Sequence, residues 1–366
     1  MIQSPGLLLT LLAFVLVIGP LVFVHELGHY LAARVFGVKS DIFSIGFGRE
    51  VAGWTDRRGT RWKVGWLPLG GYVRFAGDMN ALSQPSAEWL ALPAEERQRT
   101  FQAKPVWQRA IIVAAGPVVN FLAAILILAG FALAYGDSVT PTTVGTVVPQ
   151  SAAAAIGLRP GDRITALNGR SVATFDDMAR YAKIRPDEAI RVDYLRDGAP
   201  HSATTRLGVR RERDRFGNEF RIGQLGIGAT TPVFRQVGPI EAPLVAMRQT
   251  GQIVSGRRSV KELGGPLSIA KVSGEQITLG PEAFVFLIAL VSINLGFINL
   301  LPIPMLDGGH LLFYAIEAVR RRPVGPEAQE WAYRGGLAAI LALMLLVTFN
   351  DLGNFGLWRS LAGLIG

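Results

Sequence analysis

His25 and His29 stand four positions apart with Glu26 beside the first, in the stretch VHELGHYLAAR, Val24–Arg34. On a helix this spacing puts both imidazoles on one face about a turn apart, suitably placed to grip one Zn²⁺. Glu26 is then where a general base must be to take a proton from a metal-activated water. This is the HExxH arrangement of metallohydrolases. The motif follows the apolar run LLLTLLAFVLVIGPLVFV with no linker. Ionisable groups at membrane depth are costly and by default functional, and that weighs against the bland alternative, a buried polar network that holds no metal.

A catalytic zinc requires a third protein ligand and an open position. The chain contains no cysteine and four histidines, which excludes disulfides and thiolate ligands. His201 falls in a region expected on the far side of the membrane. The search therefore narrows to NLGFINLLPIPMLDGGH, Asn294–His310. Asp307 is the expected third ligand and His310 the alternative, its ordinary role being a hydrogen bond at a helix start. Pro302 and Pro304 are expected to interrupt the helix next to the acid. At ~1.5 Å per residue, His25 lies about 28 Å from a helix start near Pro5, in the cytoplasmic half of a bilayer. Asp307 reaches the same face if its span enters from outside near Ala283.

The elements that must position these groups are membrane helices. Half of the 366 residues are hydrophobic, and the mean hydropathy is +0.32, too oily for a soluble chain of this size. Four stretches approach the length of a spanning helix: Leu7–Val24, Ala110–Tyr135, Ala283–Ile303 and Gly335–Phe349, the last completed by a helix begun near Glu327. The first has no basic residue before it and no small-residue cleavage site after it, so it reads as a retained span, with a kink expected at Gly19–Pro20. Arg320–Arg322 with Arg334, and Arg34 with Lys39, mark the cytoplasmic side against an uncharged start, predicting an N-out protein. The net charge of +9 is spread without the basic stripe that nucleic-acid binding needs, so no nucleic-acid partner is expected. Gly116, Pro117 and Asn120, near the start of the second span, read as residues that let helices pack closely around the cavity, with local opening of the helices as the alternative.

Outside the spans, Arg58–Asp78 mixes Trp, Val, Leu and Tyr with glycines, suggesting short strands that dip into the interface. Ser83–Pro105 is a polar cytoplasmic loop with a helical turn or two. Pro243–Lys271 is mildly amphipathic and is expected on the outer membrane surface. Val144–Val172 reads as strand, small-residue helix, Gly-Asp turn, strand and Asn-Gly hairpin, followed by a capped helix at Thr174–Ile184 and a strand in Ala189–Gly198. GLRPGDRITALNG, Gly157–Gly169, resembles a bacterial envelope-protease PDZ domain, which binds a peptide or chain terminus by strand addition; a small β domain without a ligand is the alternative.

Taken with HExxH and LDG, the stretches FSIGFGRE, PLGGYVRF, QRAIIVAAGPVVNF, GGPLSIAK and NLLPIPMLDGGHLLF resemble the site-2 protease family of intramembrane metalloproteases, in its bacterial regulator-of-sigma-E protease branch, over nearly the whole chain. The resemblance implies a zinc enzyme that cuts membrane-anchored substrates inside the bilayer after another protease has trimmed them. Anti-sigma factors in an envelope stress response, and leftover signal peptides, are the substrates it suggests. It further implies His25, His29 and Asp307 as zinc ligands, Glu26 as general base, and Asn294 and Asn299 as contacts to the substrate backbone or transition state. Gly70, Gly71 and Tyr72 fall in the membrane-dipping β element that pairs with the unwound substrate. Well-known members of the family carry two PDZ domains in tandem, whereas one is legible in this chain.

The expected architecture is a polytopic α-helical protein of a bacterial inner membrane, with a membrane-associated β element and an inserted periplasmic PDZ-like domain. Its expected regions are 1–36 (first span with HExxH), 37–105 (β region and loop), 106–136 (second span), 137–232 (PDZ-like), 233–281 (amphipathic linker), 282–322 (third span with LDG) and 323–366 (fourth span and C-terminus). Two rival functions remain open from sequence: a non-enzymatic membrane-anchored PDZ scaffold, which leaves HExxH and LDG as accidents, and a metal transporter using the same ligands.

Overall fold

The computed structural model describes residues 5–77, 93–213, 219–255 and 266–354. The chain forms two compact units, residues 1–130 with 243–366, and residues 131–242.

In the first unit, α1 (Leu7–Val35) runs on through the HExxH residues, with Pro20 inside it. Its sequence is apolar all round, yet the buried positions Ala13, Val17, Leu21, His25 and Gly28 follow one stripe at helical spacing. Leu8 and Leu12 on other faces are exposed, as lipid-facing side chains are. The helix stops at Phe36–Gly37–Val38. Gly37 has φ +69°, and the Val38 amide returns to the Ala33 carbonyl at 2.8 Å, the glycine-dependent closure that satisfies terminal carbonyls.

Next come β1 (Ser40–Thr55) and β2 (Arg61–Phe75), which are antiparallel. Their register doubles back. Phe43 pairs with both Trp62 and Val73, and Ile45 with both Val64 and Gly71. The segment 71–75 therefore forms an edge beside residues 40–45. Short α2 (Ala94–Gln98) precedes α3 (Val106–Tyr135), which contains Pro117. The first part of the polar loop expected at 83–105, residues 83–92, lies outside the described residues, as do Asp78, Gly264, Gly265 and positions 355–366.

The second unit holds β3 (Asp137–Val139), β4 (Val144–Val147), α4 (Ala152–Ala155), β5 (Arg163–Leu167), β6 (Arg170–Ser171), α5 (Phe175–Lys183), β7 (Ala189–Arg196), β8 (Ala199–Arg206), β9 (Gly208–Arg213), β10 (Glu219–Gln224), β11 (Ile227–Ala229) and β12 (Val233–Arg235). A four-stranded sheet of order β6-β5-β7-β8 carries the core, with Ile164, Leu167, Ile190 and Val192 packed against Met178 of α5. The Asn-Gly turn forms as its residue types require, with Asn168 at φ 49° and Gly169 at φ 77°. Thr174 and Asp177 make a reciprocal capping box at the start of α5. His201 stacks on Tyr194 at 5.4 Å between ring centroids. Asp162, 2% exposed at its side chain, takes two 2.8 Å hydrogen bonds from Arg196.

The chain returns to the first unit as α6 (Ala242–Ser255), α7 (Pro266–Thr278), α8 (Pro281–Asn299), α9 (Asp307–Arg320) and α10 (Pro326–Asn354). The region expected as an amphipathic surface segment thus forms two helices, the second of which packs on the start of α1. A β-carbon on Gly274 would come within 2.6 Å of the Thr10 hydroxyl. Asp351 of α10 accepts from the Ser268 hydroxyl of α7 at 2.6 Å. The expected single third region, 282–322, is two helices separated by residues 300–306. Among the described residues, four helices, Leu7–Val35, Val106–Tyr135, Pro281–Asn299 and Glu327–Phe349, are long and apolar enough to cross a membrane.

Candidate metal centre and catalytic site

Two helices deliver three donors to one point. The His25 Nε2 lies 3.2 Å and the His29 Nε2 3.5 Å from Oδ2 of Asp307, and the two ring nitrogens are 3.3 Å apart. Their side chains are 10%, 12% and 19% exposed respectively. The spacing of α1 explains the first pair. The third comes from the break in the chain after Asn299, which turns the start of α9 back toward α1.

That turn depends on the two residues after the acid. A β-carbon on Gly308 would lie 2.2 Å from the Leu301 carbonyl oxygen, and one on Gly309 2.4 Å from that of Ile303. No side chain fits either place, so the loop lies directly on the first turn of α9. Met305 takes a left-handed backbone at φ 87° in the same loop, a conformation costly for a side chain of its size. Arg109 of α3 then bonds Glu317 at 2.6 Å, tying α9 to the second span.

The donor set fits a zinc ion. The His29 Nδ1 is 2.9 Å from the Ile112 carbonyl, and since a carbonyl only accepts, the proton sits on Nδ1 and Nε2 offers its lone pair. Oδ2 of Asp307 is buried and has no hydrogen-bond partner among the described residues. The His29 Nε2 lone pair and the Asp307 carboxylate oxygen face each other at 3.5 Å with no proton from His29 between them, and they repel unless a cation stands among the donors. Two imidazoles and a carboxylate are a common zinc set, and a cavity of about 470 Å³ beside them leaves room for water and substrate.

Glu26 lines that cavity, as do Gly70, Gly71, Tyr72 and Asn299. Gly71 sits so tightly against α1 that a β-carbon would be 3.0 Å from Cγ of Glu26. Asn294 is not among the lining residues. Five positions along a helix turn a side chain by about 140°, so Asn294 and Asn299 cannot share a face. His310 also borders the cavity, but both its ring nitrogens lie within 3.0 Å of the Tyr333 hydroxyl on α10, and it stands outside the cluster of three.

Two residues of α3 read from sequence as packing groups touch the site. A β-carbon on Gly116 would stand 2.3 Å from the His29 Nε2 and 2.9 Å from Cε1 of His25, so the glycine makes the space that the imidazoles fill. Asn120, fully buried, places its side-chain amide 3.1 Å from the His25 Nδ1. The only signal in the sequence was their spacing of four, which sets both on one face of α3.

The fold and this site define a metallopeptidase housed among membrane-type helices. A profile of peptidase family M50 matches residues 13–343, and the chain belongs to that family, the site-2 proteases. A candidate zinc metalloprotease of Agrobacterium fabrum is 44% identical over 357 residues, covering 93% of this chain and 95% of its own. Metalloprotease MmpA of Caulobacter vibrioides is 37% identical over 400 residues, covering 98% and 99%. The protein is accordingly a zinc metalloprotease. Among solved structures, the PDZ domain of an SdrC-like protein from Listeria monocytogenes is similar over 25% of this chain and 87% of its own, at 20% identity and a TM-score of 0.19.

Proposed function

We propose that this metalloprotease is an intramembrane endopeptidase that cuts the transmembrane segments of membrane-anchored proteins, with His25, His29 and Asp307 holding the zinc and Glu26 as general base. The convergence of these donors carries the reading: two come from α1, a helix of membrane-spanning character, and the third from the start of α9, which follows a second such helix, α8, across residues 300–306.

A peptide bond within a helix is hydrogen-bonded and dry, so the substrate must be unwound and water admitted. Bound zinc supplies Lewis acidity and lowers the pKa of water. Glu26 takes the proton of the attacking water and returns it to the leaving amine. Gly71, Tyr72, Val73 and Phe75 of the edge segment line the cavity, and among the described residues no strand pairs with its outer side. An unwound substrate adds there as a further strand, which holds the scissile bond extended in front of Glu26. The Asn299 side chain, at the same cavity, hydrogen-bonds the substrate backbone.

The short-loop charges of Arg34, Lys39 and Arg320–Arg322 support a bacterial inner-membrane placement with residues 137–232 in the periplasm. That unit is proposed as a PDZ-like receiver of a peptide or chain terminus, and proteins of the anti-sigma-factor type, released by regulated proteolysis, as the substrates.

Replacing the base while keeping the ligands tests the core of the proposal. Glu26→Gln is expected to lower cleavage of a membrane-anchored reporter by about 10²–10⁴-fold with zinc content near that of the wild type. Full cleavage by this variant defeats the role given to Glu26. Zn²⁺ uptake into vesicles is the outcome that favours a transporter.

A further inference from the structure

The two zinc-facing imidazoles have different partners behind them. Nδ1 of His29 faces a backbone carbonyl, that of Ile112, and the proton there has one possible owner. Nδ1 of His25 faces the Asn120 amide, which donates through its nitrogen or accepts through its oxygen depending on which way round it stands. As placed, the nitrogen faces the ring and, among the described residues, buried Oδ1 has no hydrogen-bond partner that would hold the amide that way. The proton on His25 decides. If Asn120 donates, the His25 proton sits on Nε2, 3.2 Å from Asp307 and 3.3 Å from the other imidazole, where the ligand lone pair is needed.

We infer that Asn120 is the positioning residue of His25: its side-chain carbonyl accepts the Nδ1 proton and thereby aims the Nε2 lone pair at the metal. This rests on the reading of His25 as a ligand. Helix α3 then supplies both orienting acceptors, Ile112 for one ring and Asn120 for the other. Asn120 is itself held, because its backbone carbonyl accepts from the hydroxyl of Ser292 on α8 at 2.8 Å, and both residues are fully buried. One residue of the second span thus ties the first span to the third behind the metal centre.

Zinc affinity, measured by chelator competition on the full protein in detergent, tests the inference independently of catalysis. Asn120→Leu, similar in shape but with no acceptor, is expected to weaken zinc binding by about 10–100-fold. Asn120→Asp, which only accepts, is expected to stay within about threefold of the wild type, a rescue by the proton-accepting oxygen. Wild-type affinity in Asn120→Leu, or an equal loss in both variants, overturns it. Imidazole nitrogen NMR of the metal-free wild type needs no substitution. A His25 signal protonated at Nδ1 supports the inference, and one protonated at Nε2 refutes it. His25→Ala separates the two levels: zinc retained in that variant defeats the ligand assignment, whereas zinc lost there but kept in Asn120→Leu defeats only the role of Asn120.

Discussion

A single hydrogen atom's worth of space decides much of this site. Gly116 borders both imidazoles so closely that Gly116→Ala must displace a ring, because the new methyl is fixed to the backbone of α3 and cannot rotate away. Zinc affinity is expected to fall at least ~10-fold in that variant, with the helices still formed, since alanine favours a helix over glycine. An unchanged affinity would show that the rings have room to move. Asp307→Asn keeps the shape of the third donor and removes its charge. Both zinc content and reporter cleavage are expected to drop, and a normal zinc content would reopen the choice between Asp307 and His310, which the Tyr333 contact disfavours.

At the scale of elements, the turn between α8 and α9 is what converts two sequence-distant motifs into one centre. Proline signals a break at 302–304, but where Asp307 points afterward follows from how closely the loop folds onto α9. Gly308→Ala is expected to push the Leu300 and Leu301 carbonyls away, costing about 1–3 kcal/mol and moving the carboxylate off the imidazoles. Thermal unfolding together with zinc content checks this. Loss of zinc at unchanged stability would mean that the loop shifts cheaply, and no effect on either would remove the close-approach argument. The β1–β2 element shows the same dependence on packing. The strand character of β2 is readable from Arg58–Asp78, whereas β1 falls outside that stretch, and the doubled register that leaves 71–75 as an edge beside Glu26 is a matter of pairing across the sheet.

Across the whole molecule, residues 131–242 form their own core, so a defect there is expected to be felt locally. The hydrogen bonds from Arg196 hold the Asp162 carboxyl below the usual aspartate range. Because the native value is the lower one, the stabilisation is complete above the ordinary aspartate pKa of about 3.9 and fades as the pH falls through the native value. Asp162→Ala is expected to cost about 2 kcal/mol at neutral pH, seen as faster hydrogen exchange over residues 163–196 of the full protein. The gap between variant and wild type should close in strong acid. A gap that persists below the native value would assign the effect to packing.

Residue types and their spacing were enough for the membrane character, the paired imidazoles with an adjacent base, the acid after a proline break, and the Asn-Gly hairpin and capped helix of the second unit. Each of these is local, settled by contacts within a few residues or by the solvent an apolar run prefers. Spacing could not say that Asn299 and not Asn294 faces the cavity, that His310 turns to Tyr333, or that Gly116 and Asn120 stand behind the imidazoles. Those outcomes depend on the crossing of α1, α3, α8 and α9 and on the rotation of each about its own axis. Close packing between helices sets these, and a pattern along one chain segment does not contain them.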